Sequence, residues 1–482
     1  MVSRFSGPRA GVLRRRRPGA SAESRLFAAS GLAALAPVAD RPGAGRVLVR
    51  CLIVGCLVFG CLFAAGLYPT RCQASTLERG GLGARGLGFA GAGPAAATGA
   101  AATYDNPAAL GGVDRAEALL SATILRYHVA ISRGGGEAQW PTVTPQSLTL
   151  GSAAVAVPVT RDLGVGLLVH LPVNGPSRLL SFDHRRPQLP LWQGLGERLA
   201  IAASAGYRVN GWLAIGLTGH VAADLDARAS FGLSLGEGRF TQQDLDVHLR
   251  SRIVPALAFQ LRPTQQLRVL LRWRAAYEVT YTVPLELDVV GVGLVAVDIA
   301  GTGLLSPEMF TAAAAWRVRP GTTLVATVSY ERWSDLPPLS PTVSVVAGGD
   351  PAWLEAYAAP PAPGAVDTVV AHVGASRRLS SSFTVRAGAG FRPTPLPRAS
   401  GAASWLDSHA VECGVGGSWR ALPRLEVDIA ARWSHLLSRR VTKANAADPI
   451  GFVGVAGEVF HVALTLRHKL SDPAKSSGPE PG

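Results

Sequence analysis

The sequence is poor in charged residues, in aromatic residues and in cysteine. Charged residues make up 17% and aromatic residues 7% of the 482 positions, and the mean hydropathy is +0.22. So small a charged fraction favours a membrane protein or a very large buried core. Only one of the five cysteines, Cys413, lies beyond residue 72. The later chain therefore has no internal disulfide and no cysteine-based zinc site.

Long apolar runs are also scarce, which excludes a bundle of membrane-spanning helices. The exception is 51–68, eighteen residues without a charge, with arginines before it and Ala74 after it. A basic flank, an apolar segment and a small residue at the cleavage point are typical of a secretory signal peptide. We therefore interpret residues 1–74 as a leader with the signal peptide at 46–74, and expect residues 1–45 to precede the true translation start. A single anchoring helix is the alternative.

The basic charge of the chain belongs mostly to this leader. Residues 1–74 hold eleven arginines and two acids, so nine of the fourteen net positive charges lie there and the remainder carries +5. A nucleic-acid-binding protein needs a basic stripe with interleaved aromatic residues, and no such stripe follows the leader. We therefore expect no nucleic-acid partner.

Strand-like alternation of apolar and polar side chains runs from residue 116 onward. Between 425 and 434 the odd positions are Leu, Val, Ile, Ala and Trp, whereas the even positions include Glu, Asp and Arg. The pattern predicts about fourteen strands, one of them at 266–282. Tight turns such as 320–321 alternate with long connections. This asymmetry is typical of transmembrane β-barrels, whose lumen accepts the polar strand faces.

The segment 75–115 differs from the rest of the chain. It is dense in glycine and alanine and has too few large apolar side chains to fold alone. Asn106 is suited to cap a short helix that begins at Pro107. We therefore predict a plug, or hatch, inside the barrel, then barrel strands over 116–470 and a polar C-terminal tail over 471–482.

Several stretches carry a family resemblance. The glycine-rich run 83–93 and the run 100–108, which contains Asp-Asn-Pro-Ala, come first, and the stretches 330–336 and 386–397 follow in order. They resemble the outer-membrane long-chain fatty acid and hydrocarbon transporter family, often called FadL-like. The resemblance implies an all-β fold, a transmembrane antiparallel β-barrel of about 14 strands with an N-terminal hatch in the lumen. It also implies that external loops capture amphipathic molecules, which leave sideways through the wall after the hatch shifts.

Five residues are our candidates for the working part of the hatch: Gly91, Gly93, Asn106, Pro107 and Ala108. The Asn-Pro-Ala element either holds the hatch against the barrel wall or takes part in its movement, and the holding role is favoured. The ligand-binding residues are unknown from the sequence. We expect no metal site and no cofactor.

Two long connections have an unusual composition. The first, 283–305, is rich in valine and leucine, and the second, 337–363, is proline-rich and contains Trp353 and Tyr357. An apolar surface on the water side is typical of a landing site for lipid-like ligands. For the first connection, an extended hairpin that packs over the barrel mouth is slightly favoured over a landing surface, and the second connection is open between the same two interpretations.

The sequence thus predicts an outer-membrane channel for passive uptake of hydrophobic small molecules such as long-chain fatty acids or aromatic hydrocarbons. We expect a monomer in contact with outer-membrane lipid. The alternative is a structural or general-diffusion barrel, although porins keep an open lumen. An outer-membrane lipid-cleaving enzyme is less favoured, because the shared strand face of His128 and Ser132 is expected by chance. Four inward carboxylates should instead pair with arginines: Glu331, Glu412, Glu426 and Asp428.

Overall fold

The computed structural model describes residues 76–133, 147–173, 187–192, 199–234, 239–289, 293–338, 341–347, 363–396, 405–442 and 452–470. The predicted leader, 1–74, and the predicted tail, 471–482, lie outside the described residues. Among the residues that are described, no helix has both the length and the apolar character needed to cross a membrane.

The described chain is dominated by β-strands. In chain order they are β1 Glu117–Arg133, β2 Ser147–Pro158, β3 Leu163–Pro172, β4 Ala200–Arg208, β5 Leu213–Ser234, β6 Arg239–Leu261, β7 Leu267–Arg274, β8 Tyr277–Val289, β9 Gly293–Ser306, β10 Glu308–Arg319, β11 Thr322–Arg332, β12 Thr342–Ala347, β13 Thr368–Arg378, β14 Phe383–Arg392, β15 Ala410–Leu422, β16 Leu425–Thr442 and β17 Phe452–Lys469.

Fourteen of these strands form a closed antiparallel barrel, which confirms the predicted fold. The wall runs from β1 through β7, continues with β10 and β11, then runs from β13 to β17. Pairing of β17 with β1 closes the ring. Because neighbouring strands bond to each other all the way round, the described wall presents no free sheet edge.

The predicted strand at 266–282 is wrong in one respect, because it is two strands. The first part, β7, stays in the wall between β6 and β10, whereas β8 leaves the wall and pairs with β9. The pairing of β6 with β7 begins at Ala256, directly after Pro255. Pro255 lies within β6. Because proline has no amide hydrogen to donate, the pairing of β6 with β7 ends next to it.

The valine-rich connection 283–305 is largely an antiparallel hairpin of β8 and β9, with β12 paired to β9. Its backbone therefore matches the hairpin alternative. The side chains of 285–295 lie outside what the structure describes, so the landing-surface interpretation stays a prediction. Trp353 and Tyr357 also lie outside the described residues.

The two faces of each wall strand meet different surroundings. On β16, Asp428 and Arg432 are buried inside the barrel, whereas Ile429 between them is 58% exposed on the outside. The same division holds on β17, where Val462 and Leu464 point outward and Thr465 is buried. The apolar face is thus the outer face, which is the arrangement of a membrane barrel rather than of a soluble sheet.

Exposed aromatic residues lie toward the two ends of this apolar outer face. Toward the short turns they are Tyr207, Trp212, Phe259, Trp316, Phe383 and Trp419; toward the long loops they are Phe310, Tyr330, Phe391 and Phe460. On β14, Phe383 and Phe391 are eight positions apart. That separation is roughly 27 Å along a strand, or ~20 Å along the membrane normal at a tilt of ~40°. The distance fits the apolar band of an outer-membrane barrel, which is ~25 Å tall.

We predict that the cost of a charge on the outer face depends on its depth. Leu464→Arg, four positions from Phe460 and so midway between the aromatic belts, should lower the free energy of unfolding by ~2–4 kcal/mol, because arginine enters the apolar part of the bilayer. Leu422→Arg, on the same outer surface at a short turn, should cost no more than ~1 kcal/mol. The measurement is urea unfolding of the protein refolded into lipid vesicles. Equal losses for the two variants would contradict a membrane-embedded wall.

Candidate functional site

The N-terminal segment lies inside the barrel as a hatch of short helices. These are α1 Thr76–Gly80, α2 Gly83–Gly88 and α3 Ala102–Asp105, with 3-10 turns at Pro94–Ala96, Gly99–Ala101 and Pro107–Gly112. All ten residues from 101 to 110 are buried. The hatch packs on inward-facing residues of β1 to β4 and of β14 to β17. It therefore occupies the lumen and contacts much of the wall.

Glycines of the wall let the hatch backbone touch it directly. A Cβ atom at Gly216 would overlap the amide nitrogen of Ala108, and one at Gly388 would overlap the carbonyl oxygen of Phe89. Neither site has room for any larger residue. Small wall residues and the small residues of the hatch thus form a close backbone-to-backbone contact.

The Asn106-Pro107-Ala108 element lies against this part of the wall. Pro107 begins the 3-10 turn as predicted, but the Asn106 side chain does not cap it. Instead, the side-chain amides of Asn106 and Gln260 are hydrogen-bonded, with 2.8 Å between nitrogen and oxygen. Both residues are almost fully buried. A buried partner on β6 therefore replaces the expected cap.

Gly91 and Gly93 shape the turn that follows α2. Gly91 has a φ of +95°, and a Cβ there would lie 2.6 Å from the carbonyl oxygen of Arg79. A Cβ at Gly93 would lie 2.9 Å from Cδ2 of Phe89. Both positions need glycine for close packing within the hatch and, at Gly91, for backbone conformation.

Asp105, at the end of α3, connects this helix to Leu82, the residue before α2. Its two carboxylate oxygens each accept a bond of 3.1 Å from the Leu82 amide. Arg272 of β7 donates to the carbonyl oxygens of Tyr104 and Asp105 at 3.2 and 3.3 Å. Burial raises the pKa of Asp105 to about 6. Arg272 thus contacts the hatch instead of lying in an open aqueous lumen.

Ion pairs hold the hatch on several sides of the barrel. Arg85 lies 2.5 Å from Glu426 and 3.1 Å from Asp428, both on β16. On β7, Arg274 lies 2.6 Å from Glu78 of α1. Glu117 of β1 accepts a bond from the Ala100 amide and pairs with Arg467 of β17. Removing one member of such a pair leaves an uncompensated charge in a site with little water.

The expected pairing of inward carboxylates with arginines is confirmed for three of the four. Glu426 and Asp428 pair with Arg85, and Glu412 pairs with Arg432 at 2.5 Å. The fourth, Glu331, accepts hydrogen bonds from Trp333 and Thr368 instead.

His128 and Ser132 are both exposed on the outer face of β1. The imidazole of His128 packs edge-on against Phe460, with 6.2 Å between ring centroids.

A large apolar cluster fills the loop end of the lumen. It combines inward residues of β1, β2, β16 and β17 with residues of the loops: Leu125, Tyr127, Val129, Ile131, Leu148, Leu150, Leu189, Leu191, Trp192, Trp333, Leu336, Leu396, Trp405, Leu406, Leu436, Val441, Val453, Val455 and Val459. We call this set the loop-end cluster. Ligand sites of β-barrels are often apolar and lie at the barrel mouth, so this cluster is the candidate ligand-binding region.

Trp192 joins the loop-end cluster to the hatch. The guanidinium of Arg79, on α1, lies 4.5 Å from the centre of its indole ring, and that of Arg392 lies 4.9 Å from it. The indole nitrogen donates to Asp407 at 2.6 Å, and Arg392 pairs with Asp407 at 3.4 Å. Burial and the nearby Arg392 charge lower the pKa of Arg79 to about 10. A movement of the Trp192 ring would therefore alter a contact of Arg79 in the hatch.

Buried polar atoms next to this contact lack partners among the described residues. They are Nε and Nη2 of Arg392, Oε1 of Glu412, Nε of Arg432 and Nδ1 of His461. Each of these residues is at most 5% exposed. Buried groups of this kind are costly unless something binds them. The region thus offers hydrogen-bond donors at the base of an apolar cluster.

Comparisons with known proteins agree with this architecture. No protein-family model matches the sequence, and no curated protein matches it. Among solved structures, a Pseudomonas aeruginosa FadL homologue is similar over 84% of this chain and 99% of its own, with 14% identity and a TM-score of 0.53. The P. putida toluene transporter TodX is 12% identical, with a TM-score of 0.51 over 82% of this chain and all of its own. The Ralstonia pickettii toluene transporter TbuX is 14% identical, with a TM-score of 0.50 over 82% of this chain and all of its own.

The chain has the FadL-like fold. Within this FadL-like barrel, the sequence correctly indicates a hatch, but it does not reveal Arg79, Trp192, Arg392 or Asp407 as one group. Those residues come from the hatch, from β14 and from two separate loops. Two short apolar segments within polar loops, Leu-Pro-Leu-Trp at 189–192 and Trp-Leu at 405–406, are the sequence signal that could have indicated the two loop residues of this group.

We predict that the Arg85 ion pairs hold the hatch closed. Arg85→Met should raise single-channel conductance in planar bilayers, because Glu426 and Asp428 lose their hatch partner and that side of the hatch loosens. The matched control is Arg332→Met, which removes an exposed arginine that lies 3.0 Å from Asp335. The control should conduct like the wild type. Unchanged conductance in Arg85→Met would contradict the holding role.

We further predict that Asn106→Leu loosens the hatch locally. Leucine would leave the Gln260 amide buried without its partner, at a cost of ~1–3 kcal/mol. Amide hydrogen exchange over residues 102–112, followed by mass spectrometry, should become faster. Gln266→Leu, a similar change at an exposed turn position, should leave that exchange unaltered. If Asn106→Leu exchanges like wild type, the Asn106 contact does not hold this segment.

Proposed function

We propose that this protein is an outer-membrane channel that passively admits hydrophobic or amphipathic small molecules. The single observation that carries the proposal is the loop-end cluster, which lies inside the barrel and meets the hatch at Trp192. A molecule that dissolves in this apolar region would reach the hatch without crossing an aqueous lumen.

The neighbouring structures support the same class of activity. TodX and TbuX are described as toluene transporters, and a further neighbour as a FadL homologue. The similarity to this chain extends over 99% or more of the length of each of these three proteins. A general-diffusion porin is less well supported, because the hatch occupies the lumen and porins need an open aqueous path.

The outer apolar band supports placement of the wall in the outer membrane, with the short turns on the periplasmic side and the long loops outside. Transmembrane barrels of that membrane have short periplasmic turns and longer external loops. In this orientation the loop-end cluster faces the cell exterior, where a ligand would arrive.

Within this class, the polar atoms below the loop-end cluster favour an amphipathic ligand with an anionic head group. The unpartnered Nε and Nη2 atoms of Arg392 can donate to a carboxylate, while the loop-end cluster would accept the apolar tail. A neutral hydrocarbon would leave those donors unsatisfied. Long-chain carboxylates therefore fit the site better than toluene does.

The test is uptake of labelled oleate and of labelled toluene by cells that lack their own transporter, with the protein verified in the outer membrane. Oleate uptake should rise with expression of the wild type. The double variant Arg392→Gln/Asp407→Asn should reduce oleate uptake at least about tenfold, because one charge-assisted hydrogen bond is worth about that much. Toluene uptake by this variant should fall less than its oleate uptake.

A matched control and the contrary outcomes complete this test. Arg332→Gln/Asp335→Asn removes an exposed ion pair on the outer surface and should transport like wild type. Correct insertion of the wild type with no uptake of either compound would favour a structural barrel. Toluene uptake without oleate uptake would retain the transporter and reject the carboxylate preference.

A further inference from the structure

A groove of about 860 Å³ lies on the outer face of the barrel wall, across the wall from Phe89 of the hatch. It crosses β7, β10, β11, β13 and β14. Its outward-facing lining is entirely apolar: Leu267, Ala314, Trp316, Leu324, Ala326, Val373, Ala375, Ala387 and Ala389. Five of these nine residues are alanines, so little side-chain volume covers this part of the wall where the bilayer contacts it.

Strand register arranges this lining in two rows. The row nearer the short turns is Leu267, Trp316, Leu324, Ala375 and Ala387, each paired with the next across the wall. The row nearer the loops contains Ala314, Ala326, Val373 and Ala389, paired in the same way. The groove therefore continues across neighbouring strands.

The next outward row toward the short turns is basic. Arg319 pairs with Thr322, and Thr322 pairs with Arg377. Both arginines are exposed, and neither forms an ion pair with a carboxylate in the described part of the chain. Neighbouring strands lie ~4.8 Å apart, so the two arginine backbones are ~10 Å apart with a threonine between them. Two long side chains at that spacing can converge on one phosphate.

We propose that the groove and this basic row bind an anionic glycerophospholipid of the periplasmic leaflet. One acyl chain lies in the groove, and the phosphate lies between Arg319 and Arg377. Rows on one face of a strand are ~7 Å apart, so the three rows span ~13 Å, a distance that reaches from a phosphate into the upper acyl chain. The leaflet assignment rests on the proposed orientation in the outer membrane.

Charge complementarity selects the occupant. Two arginines without a described acidic partner favour a head group with net negative charge over a zwitterionic one, whose own ammonium group would be repelled. A free phosphate would satisfy the arginines but would leave the apolar groove uncovered. The lipid meets both requirements.

The experiment is native mass spectrometry of the full chain purified in detergent and mixed with equal amounts of phosphatidylglycerol and phosphatidylethanolamine. The wild type should retain phosphatidylglycerol at least about tenfold better. The double variant Arg319→Gln/Arg377→Gln should retain phosphatidylglycerol at least about tenfold less well than the wild type, because one charge-assisted hydrogen bond is worth about that much. Ala326→Phe, which fills the groove, should lose retention although both arginines remain.

Matched variants make each result decisive. Arg420→Gln/Arg424→Gln removes two exposed arginines at the same end of the barrel but away from the groove, and should retain lipid like wild type. Ala326→Leu replaces Ala326→Phe if the phenylalanine variant does not fold, as judged by its heat-dependent gel mobility. Retention by the groove-filled variant would overturn the acyl-chain part of the proposal. Equal retention of the two lipids by wild type, or an equal loss in the Arg420/Arg424 control, would overturn the site.

This result is independent of transport. Lipid retention is measured on purified protein without a transported ligand. Absence of uptake together with selective lipid retention would reject the proposed function and keep the lipid site.

Discussion

Backbone amides and carbonyls inside a bilayer must find their partners within the protein, and the pairing of β1 with β17 closes the ring that makes this possible here. Once the ring is closed, every strand has an outside and an inside. Apolar side chains can face lipid, but the polar side chains on alternate positions are then confined to the lumen. The lumen must therefore hold many charges, and something has to compensate them.

The hatch provides part of that compensation. Arg85 pairs with β16, Glu78 pairs with β7, and the Ala100 amide donates to Glu117 on β1. Buried ion pairs add little net stability, because desolvating both charges offsets their attraction. Their role in this protein is better understood as positional, since each pair is satisfied only when the hatch occupies one place. The interior around the hatch therefore combines these ion pairs with small apolar contacts, whereas the loop end holds the larger apolar cluster.

Trp192 lies at the boundary between these two regions. Arginines from the hatch and from β14 both contact its ring, and its nitrogen bonds to Asp407 from another loop. A ligand that displaced Trp192 would also remove a contact of Arg79. Trp192 thus physically connects the loop-end cluster to the hatch.

Local sequence patterns were sufficient to predict the class of the fold. Period-two alternation with one apolar face, tight turns alternating with long loops, and a glycine- and alanine-rich start were enough to predict a barrel of fourteen strands with a hatch, because each is a local property of the chain. The contacts between distant residues could not be predicted in this way. The predicted strand at 266–282 divides after Arg274, where its pairing with β6 ends next to Pro255, and Asn106 bonds Gln260, 154 positions away, instead of capping its own turn. The group around Trp192 and the outer basic row exist only after closure and register bring distant residues together, and no local pattern encodes such contacts.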